Sequence, residues 1–152
     1  MSIVVIKINR DNVLEGVREE VSRVAASAYD GEGQSLYDAI MVYERDESTL
    51  ERLFDDALSH LTDRSRDILN QYTRTSDTER ELEYNLPDFS DSLMGMVMTD
   101  VQRYMVQHIT AQWLIEKQYK RAEEFVAHAK VVLDETIEHL KIRKPVSDRI
   151  GL

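Results

Sequence analysis

Four histidines are the residues in this chain best suited to binding a metal or transferring a proton: His60, His108, His128 and His139. None of them belongs to an H-E-x-x-H or Glu-x-x-His motif, in which neighbouring turns of a helix direct two ligands at one metal. The residue three places before His128 is phenylalanine, and the one three places before His139 is threonine. The spacing therefore predicts no metal site and no cofactor. We expect surface or hydrogen-bonded core histidines, with His108 the most buried.

The carboxylates do not indicate a catalytic pair. They are numerous and spread along the chain: Asp55, Asp56, Glu79, Glu81, Glu83, Glu123 and Glu124. In so acidic a chain, neighbouring carboxylates arise by chance, and solvated helix faces explain them. The sequence contains no glycine-rich phosphate loop, no G-x-S-x-G motif and no cysteine, which excludes thiolate nucleophiles, thiolate zinc sites and disulfides. We therefore expect a protein that is not an enzyme and that acts through contacts with other chains.

The formal net charge of −10 is unevenly distributed. Residues 1–100 contain 22 Asp and Glu against 10 Lys and Arg, a net charge of −12, whereas residues 101–152 contain 7 against 9, a net charge of +2. Acidic surfaces repel the phosphate backbone, so sequence-specific binding of nucleic acid is not expected. Two interpretations of the charge remain. It maintains solubility, or it forms an acidic wall beside a passing polyanion.

No apolar run approaches the roughly 20 residues that a membrane-spanning helix requires. The apolar residues 3–6 are too few for a signal peptide and lack a cleavage pattern. We therefore expect no membrane association and a protein that is cytosolic or assembled in the cytosol. A chain of 152 residues fits one domain.

The hydrophobic pattern predicts a mainly α fold, a bundle of about four to five helices with a short N-terminal strand and a small β-hairpin or strand arm. We expect one domain over residues 1–144, with the β arm near 73–87, and a tail over 145–152. The predicted strands are residues 3–8 and 81–86. Five helices are predicted. The first ends near residue 29, the second covers 35–43, and the third starts near 48 and is extended by Ile68 and Leu69. The fourth covers 90–118 and the fifth covers 119–143.

The fourth predicted helix is apolar around well over half of its circumference, which is typical of a central core helix or of one shared with an interface. It also concentrates methionine, a side chain suited either to filling a core or to an adaptable subunit contact. These methionines are Met94, Met96, Met98 and Met105. Trp113, the single tryptophan, is expected to be a core residue.

The C-terminal run of Lys141, Ile142, Arg143, Lys144 and Pro145 is the strongest local charge feature. One interpretation is that its cations stabilise the negative end of the last helix. The other is that it forms a flexible basic peptide that binds an acidic or aromatic groove of a partner.

Several segments resemble small proteins encoded in the virion-assembly clusters of tailed phages and prophages of Bacteroidetes. The resemblance covers most of the chain and consists of patterns: IKINRDNV at 6–13, LERLFDDA at 50–57, LPDFSDSL at 86–93, QWL at 112–114, AEEF at 122–125 and RKP at 143–145. Proteins of this kind are head-tail connector or neck components, which form a ring below the portal, typically of twelve copies.

The resemblance implies a phage structural protein of the virion neck, assembled in the host cytoplasm. It implies a homo-oligomeric ring for DNA passage and tail attachment, with the portal protein and a tail or stopper protein as partners. The residues at 141–145 would bind the portal. The expected subunit interface comprises Met94, Met98, Met105, Leu82, Tyr84 and Leu86. The acidic residues expected to face a DNA channel are Asp55, Asp56, Glu79 and Glu81.

Two alternatives remain open. One is another virion structural protein, such as a tail-completion protein, and the other, from a different class, is a cellular helical adaptor that binds a partner helix in a groove. The sequence also leaves open whether the strand at 81–86 pairs within the chain or with a neighbouring chain.

Overall fold

The computed structural model describes residues 3–143, and it confirms the mainly helical fold with a small antiparallel sheet. The elements follow in this order: β1 (Ile3–Asn9), α1 (Arg10–Ala26), the single turn α2 (Tyr37–Ile40), α3 (Glu47–Arg64), β2 (Leu69–Arg74), β3 (Glu79–Asn85), α4 (Met94–Leu114) and α5 (Tyr119–Leu140). Short 3-10 turns precede α3 and α4. The predicted tail at 145–152 lies outside the described residues.

The three strands form an antiparallel sheet in the order β1-β3-β2. β3 is the central strand, and its register with β1 runs from Ile3 opposite Asn85 to Asn9 opposite Glu79. Alternate residues of β3 point inward and are buried, as the alternating sequence predicts: Arg80, Leu82 and Tyr84. The strand predicted at 81–86 therefore pairs on both sides within the chain.

The prediction that Ile68 and Leu69 extend the third helix is wrong. α3 ends at Arg64, and Ser65 follows it with its hydroxyl 2.8 Å from the carbonyl oxygen of Leu61 and 2.8 Å from the buried Tyr84 hydroxyl. Backbone N–H groups of Ile68 and Leu69 then donate to the Ser65 carbonyl in a turn that starts β2. The strand is favoured here because its backbone groups pair with the second edge of β3.

α4 is the core helix, and its broad apolar surface is covered within the chain by α5, α1, α3 and β1. Its buried positions occupy every side of the helix: Val97, Asp100, Val101, Tyr104, Met105, Val106, Ile109, Thr110, Ala111, Trp113 and Leu114. It ends at Leu114 rather than near 118, and the N–H groups of Lys117 and Gln118 donate to the Leu114 carbonyl in the turn before α5. α5 ends at Leu140, three residues before the predicted end. Within residues 3–143, no helix is both long enough and apolar enough to span a membrane.

Trp113 is a core residue, as expected, and only 6% of it is exposed. Its indole N–H donates to the carbonyl of Ile40 over 2.7 Å, which ties the turn α2 to the central helix. The ammonium of Lys117 lies 4.1 Å from the ring centroid on the solvent side. One side chain therefore fills the core, satisfies a backbone carbonyl and accepts a cation-π contact.

Replacing Trp113 by alanine should lower the free energy of unfolding by about 3–5 kcal/mol, because it removes a large buried ring. Trp113→Phe keeps most of the ring volume but leaves the Ile40 carbonyl unpaired, and should cost about 1–3 kcal/mol. Urea unfolding followed by circular dichroism measures both values. Equal losses in the two variants would show that the hydrogen bond, which both variants lack, accounts for the whole effect, and that packing of the ring adds nothing to it.

Candidate functional site

A polar cluster joins the outer faces of α3 and α4. Asp56 and His60 lie one helical turn apart on α3, and His108 lies opposite them on α4. The Nε2 atom of His108 is 3.1 Å from one carboxylate oxygen of Asp56, and the Nε2 atom of His60 is 3.7 Å from the other. The two imidazole rings are tilted, with centroids 4.9 Å apart. The three side chains form one compact constellation.

The environments of these three side chains differ. The His60 side chain is 57% exposed and the Asp56 side chain 47%, whereas only 13% of the His108 side chain is exposed. Burial lowers the pKa of His108, and the nearby His60 adds to that shift, while the hydrogen bond to Asp56 opposes it. His108 is therefore neutral at pH 7, with its Nε2 atom facing the other two groups.

No metal-binding motif in the sequence indicates this cluster. Its only local signal is the spacing Asp56-x-x-x-His60, which places the two side chains on one face of α3. His108 lies 52 positions after Asp56, and only the packing of α4 on α3 brings it there. The same packing buries His108, which is the most buried of the four histidines, as the sequence predicts.

A second feature is an open groove of about 780 Å³ between α3 and the strand β2. Residues of α3, of β2 and of the turn between them line it: Asp55, Leu58, Ser59, His60, Thr62, Asp63, Arg66, Leu69 and Tyr72. β2 is an edge strand that pairs only with β3 among the described strands, and Tyr72 is 44% exposed. The groove therefore combines apolar contact area with unpaired strand backbone.

Four of the six expected interface residues are buried inside the chain: Leu82, Tyr84, Leu86 and Met105. In this conformation their side chains are unavailable to a neighbouring subunit, because all four pack in the hydrophobic core of the chain. Met94 and Met98 are partly buried at the start of α4, beside the exposed Met96. Any contact through the methionine-rich segment is therefore limited to the first turns of that helix.

The four expected channel residues do not share one environment. Asp55 lines the groove beside β2, whereas Asp56 turns toward His108 on α4. Glu79 and Glu81 lie on the outer face of the sheet, where Lys7 is opposite Glu81 and the Asn9 side chain donates to Glu79 over 2.6 Å. The structure separates these carboxylates into three surface regions.

The start of the basic run contacts its own chain. The ammonium of Lys141 is 2.8 Å from a carboxylate oxygen of Asp67 and keeps the pKa of that carboxyl below its usual value. Arg143 forms an isolated antiparallel bridge with Phe89, and Ile142 is exposed between them. Lys144 and Pro145, which complete the expected portal-binding segment, lie outside the described residues.

The remaining histidines join α4 to α5. The Nδ1 atom of His139 is 2.7 Å from the buried Asp100 carboxylate, and the Nδ1 atom of His128 is 3.1 Å from the Gln107 side-chain oxygen. Arg103 lies between these pairs, 3.8 Å from Asp100 and 3.3 Å from His128. These contacts supply hydrogen-bond and charge partners to the buried Asp100 carboxylate, so a role in stabilising the fold explains them.

Comparison with known proteins identifies no relative: no family model matches the chain, and neither curated proteins nor solved structures include a similar one.

Protonation of His108 should make the fold less stable below pH 6.5. Since the pKa of His108 is lower in the folded chain than its ordinary value of 6.5, the unfolded chain takes up this proton at higher pH than the folded chain does. The contribution is complete above pH 6.5 and decreases as the pH falls toward the folded-state pKa. Urea midpoints between pH 7.5 and 5 should fall less steeply in His108→Gln than in the wild type. Parallel curves would contradict this role of His108.

Proposed function

We propose that this protein is a structural assembly subunit, a head-tail connector in the neck of a tailed phage, which packs with copies of itself into a ring below the portal. The observation that carries the proposal is the edge strand β2 beside the groove on α3. The resemblance of the sequence to virion-assembly proteins gives the assembly its identity. A tail-completion protein or another virion structural protein would assemble through the same surface. Electron-microscopy images of the native particle would distinguish these alternatives by the position of the protein in the virion.

The strand edge offers backbone hydrogen bonds to a neighbour. In the order β1-β3-β2, the central strand is paired on both sides, so the edges open to another chain are those of β1 and β2. Since β3, which contains most of residues 81–86, is paired on both sides, we assign pairing with a neighbouring chain to the open edge of β2. An exposed strand edge pairs readily with an extended segment of another chain.

The groove beside this edge offers side-chain contacts. Leu58 and Leu69 supply apolar walls, and Tyr72 supplies a large aromatic surface with a polar tip. Asp55 lines the same groove, and Asp63 is paired there with Arg66. In a ring, the groove of each copy would bind an extended segment of the next copy, so the contact would be head-to-tail and would close when the rotation allows.

The charge distribution agrees with a DNA passage. The net charge of −12 over residues 1–100 favours a surface that repels the phosphate backbone. DNA moving through a ring of such subunits would not adhere to the wall. The separation of the expected channel residues means that one face, rather than all four carboxylates, would line the passage. The outer face of the sheet, with Glu79 and Glu81, is the better candidate.

Replacing Tyr72 by lysine should weaken self-association, because it places a charge in the groove and removes the aromatic contact. Tyr29→Lys is a matched control, since Tyr29 is exposed on the loop after α1, outside the groove. Light scattering after size-exclusion chromatography should show large oligomers for the wild type and the control, and a mainly monomeric Tyr72→Lys. Negative-stain images should show rings in the first two samples.

A wild-type chain that stays monomeric at high concentration and also on portal particles would contradict the ring proposal and favour a cellular helical adaptor. Equal loss of assembly in both tyrosine variants would show that the groove is not the surface through which the copies associate. Circular dichroism of all three proteins verifies that each is folded.

A chain that ends at Arg143 should fold normally but attach more weakly to the portal. This truncation retains the described contacts of Lys141 with Asp67 and of Arg143 with Phe89. Its thermal midpoint should therefore match that of the full chain, while co-sedimentation with portal particles of the same phage should decrease. Unchanged co-sedimentation would exclude residues 144–152 from portal binding.

A further inference from the structure

The cluster of Asp56, His60 and His108 has the ligand set of a transition-metal site. Two imidazole nitrogens and one carboxylate oxygen are donors that zinc and its neighbours in the first transition series bind well. The three ligand atoms lie within 4.8 Å of one another. They come from two helices packed side by side, and helices hold ligands in place better than loops do.

The distances are close to those that a bound ion requires. With ligands about 2.0–2.1 Å from a tetrahedral zinc ion, neighbouring donor atoms are roughly 3.3–3.4 Å apart. Asp56 directs a different oxygen at each histidine, with Oδ2 3.1 Å from the Nε2 atom of His108 and Oδ1 3.7 Å from that of His60. The three donor atoms that would bind one ion lie within 4.8 Å of one another, so they need to move closer together around it. The exposed His60 is free to rotate, because more than half of its side chain contacts solvent.

The buried member of the set is held in position before any ion binds. The ring of Tyr104 packs against that of His108, with centroids 5.6 Å apart. The hydroxyl of Tyr104 lies 3.4 Å from the Ala57 carbonyl oxygen and so reaches across from α4 to α3. His108 therefore offers a preformed ligand, to which the two exposed side chains of α3 adjust.

Space for further ligands adjoins the cluster. A cavity of about 180 Å³ is lined by His60, His108 and Tyr104, by the polar Gln112 and Lys130, and by four apolar residues: Ala111, Val126, Ala129 and Leu133. It is large enough for water molecules, and the Gln112 side chain supplies a polar wall. The positive charge of Lys130, which lines the same cavity, repels a bound cation. The carboxylate of Asp56 offsets one of the two positive charges of the ion.

We propose that Asp56, His60 and His108 bind one divalent transition-metal ion of the zinc type at the junction of α3 and α4, with water completing the coordination. This proposal does not depend on the connector role, because the three ligands belong to one chain. The ion would link the two helices directly. It would also reach the groove beside β2, since His60 lines both the groove and the cavity.

The test uses the full chain, freed of metal with a chelator and titrated with zinc chloride in a calorimeter. The wild type should bind one ion per chain with a saturable isotherm. His60→Ala and Asp56→Asn should each weaken zinc binding at least tenfold, and both changes fall on exposed positions that leave the core intact. His128→Ala is the matched control, because it also removes an exposed histidine but one outside the cluster. Its affinity should equal that of the wild type.

A second readout identifies the ligands directly. On addition of zinc, the imidazole proton resonances of His60 and His108 should shift in NMR spectra, while those of His139 should stay in place. Either of two results overturns the proposal: no saturable binding by the wild type, or the same affinity in the control and in the two cluster variants. The second result would show that zinc binds adventitiously elsewhere on the chain.

Discussion

The burial of α4 is the constraint on which the remaining structure depends. A helix that is apolar on most sides has to be covered on most sides, and burying each of its large aliphatic side chains contributes about 1.5–3 kcal/mol. α1, α3, α5 and β1 all contact it. The small sheet contributes to the same core, because the inward-facing residues of its strands, such as Ile6 and Leu82, pack in it. Apart from the methionines of its first turns, the apolar surface of this helix is consequently buried within the chain.

One polar contact inside this packing restricts how the helices align. Asp100 is buried on α4, and an unpaired carboxylate there would cost several kcal/mol. The register that places His139 2.7 Å away satisfies it, with Arg103 as a second, more distant partner. The contact of His128 with Gln107 repeats the pairing two to three turns along the two helices. These contacts show that α4 and α5 run antiparallel, joined by the turn at Lys117.

The surfaces left for other molecules converge on α3. Its inward face packs in the core through residues such as Leu50 and Phe54, while two neighbouring carboxylates on its outer side point to different places. Asp55 turns into the groove beside β2, and Asp56 turns to His108. His60 borders both regions. An assembly contact in the groove and an ion at the helix junction would therefore share a side chain, which would couple the two.

The sequence by itself determined the secondary elements whose periodicity is long and regular. Alternation at Leu82 and Tyr84 marked an inward-facing strand, and the unbroken apolar pattern before Trp113 marked a central helix, because side-chain period follows directly from backbone geometry. Local pattern was insufficient at Ile68 and Leu69, where two apolar residues after a polar stretch suited a helix or a strand equally.

Only the tertiary structure decided which edges of the sheet stay open, and that Leu86 and Met105 are core rather than interface residues. It also assembled the cluster around His108, whose partners lie 52 and 48 positions away in the chain. Such contacts depend on how separate helices pack, and a pattern over a few neighbouring residues does not indicate which residues of two distant helices come together.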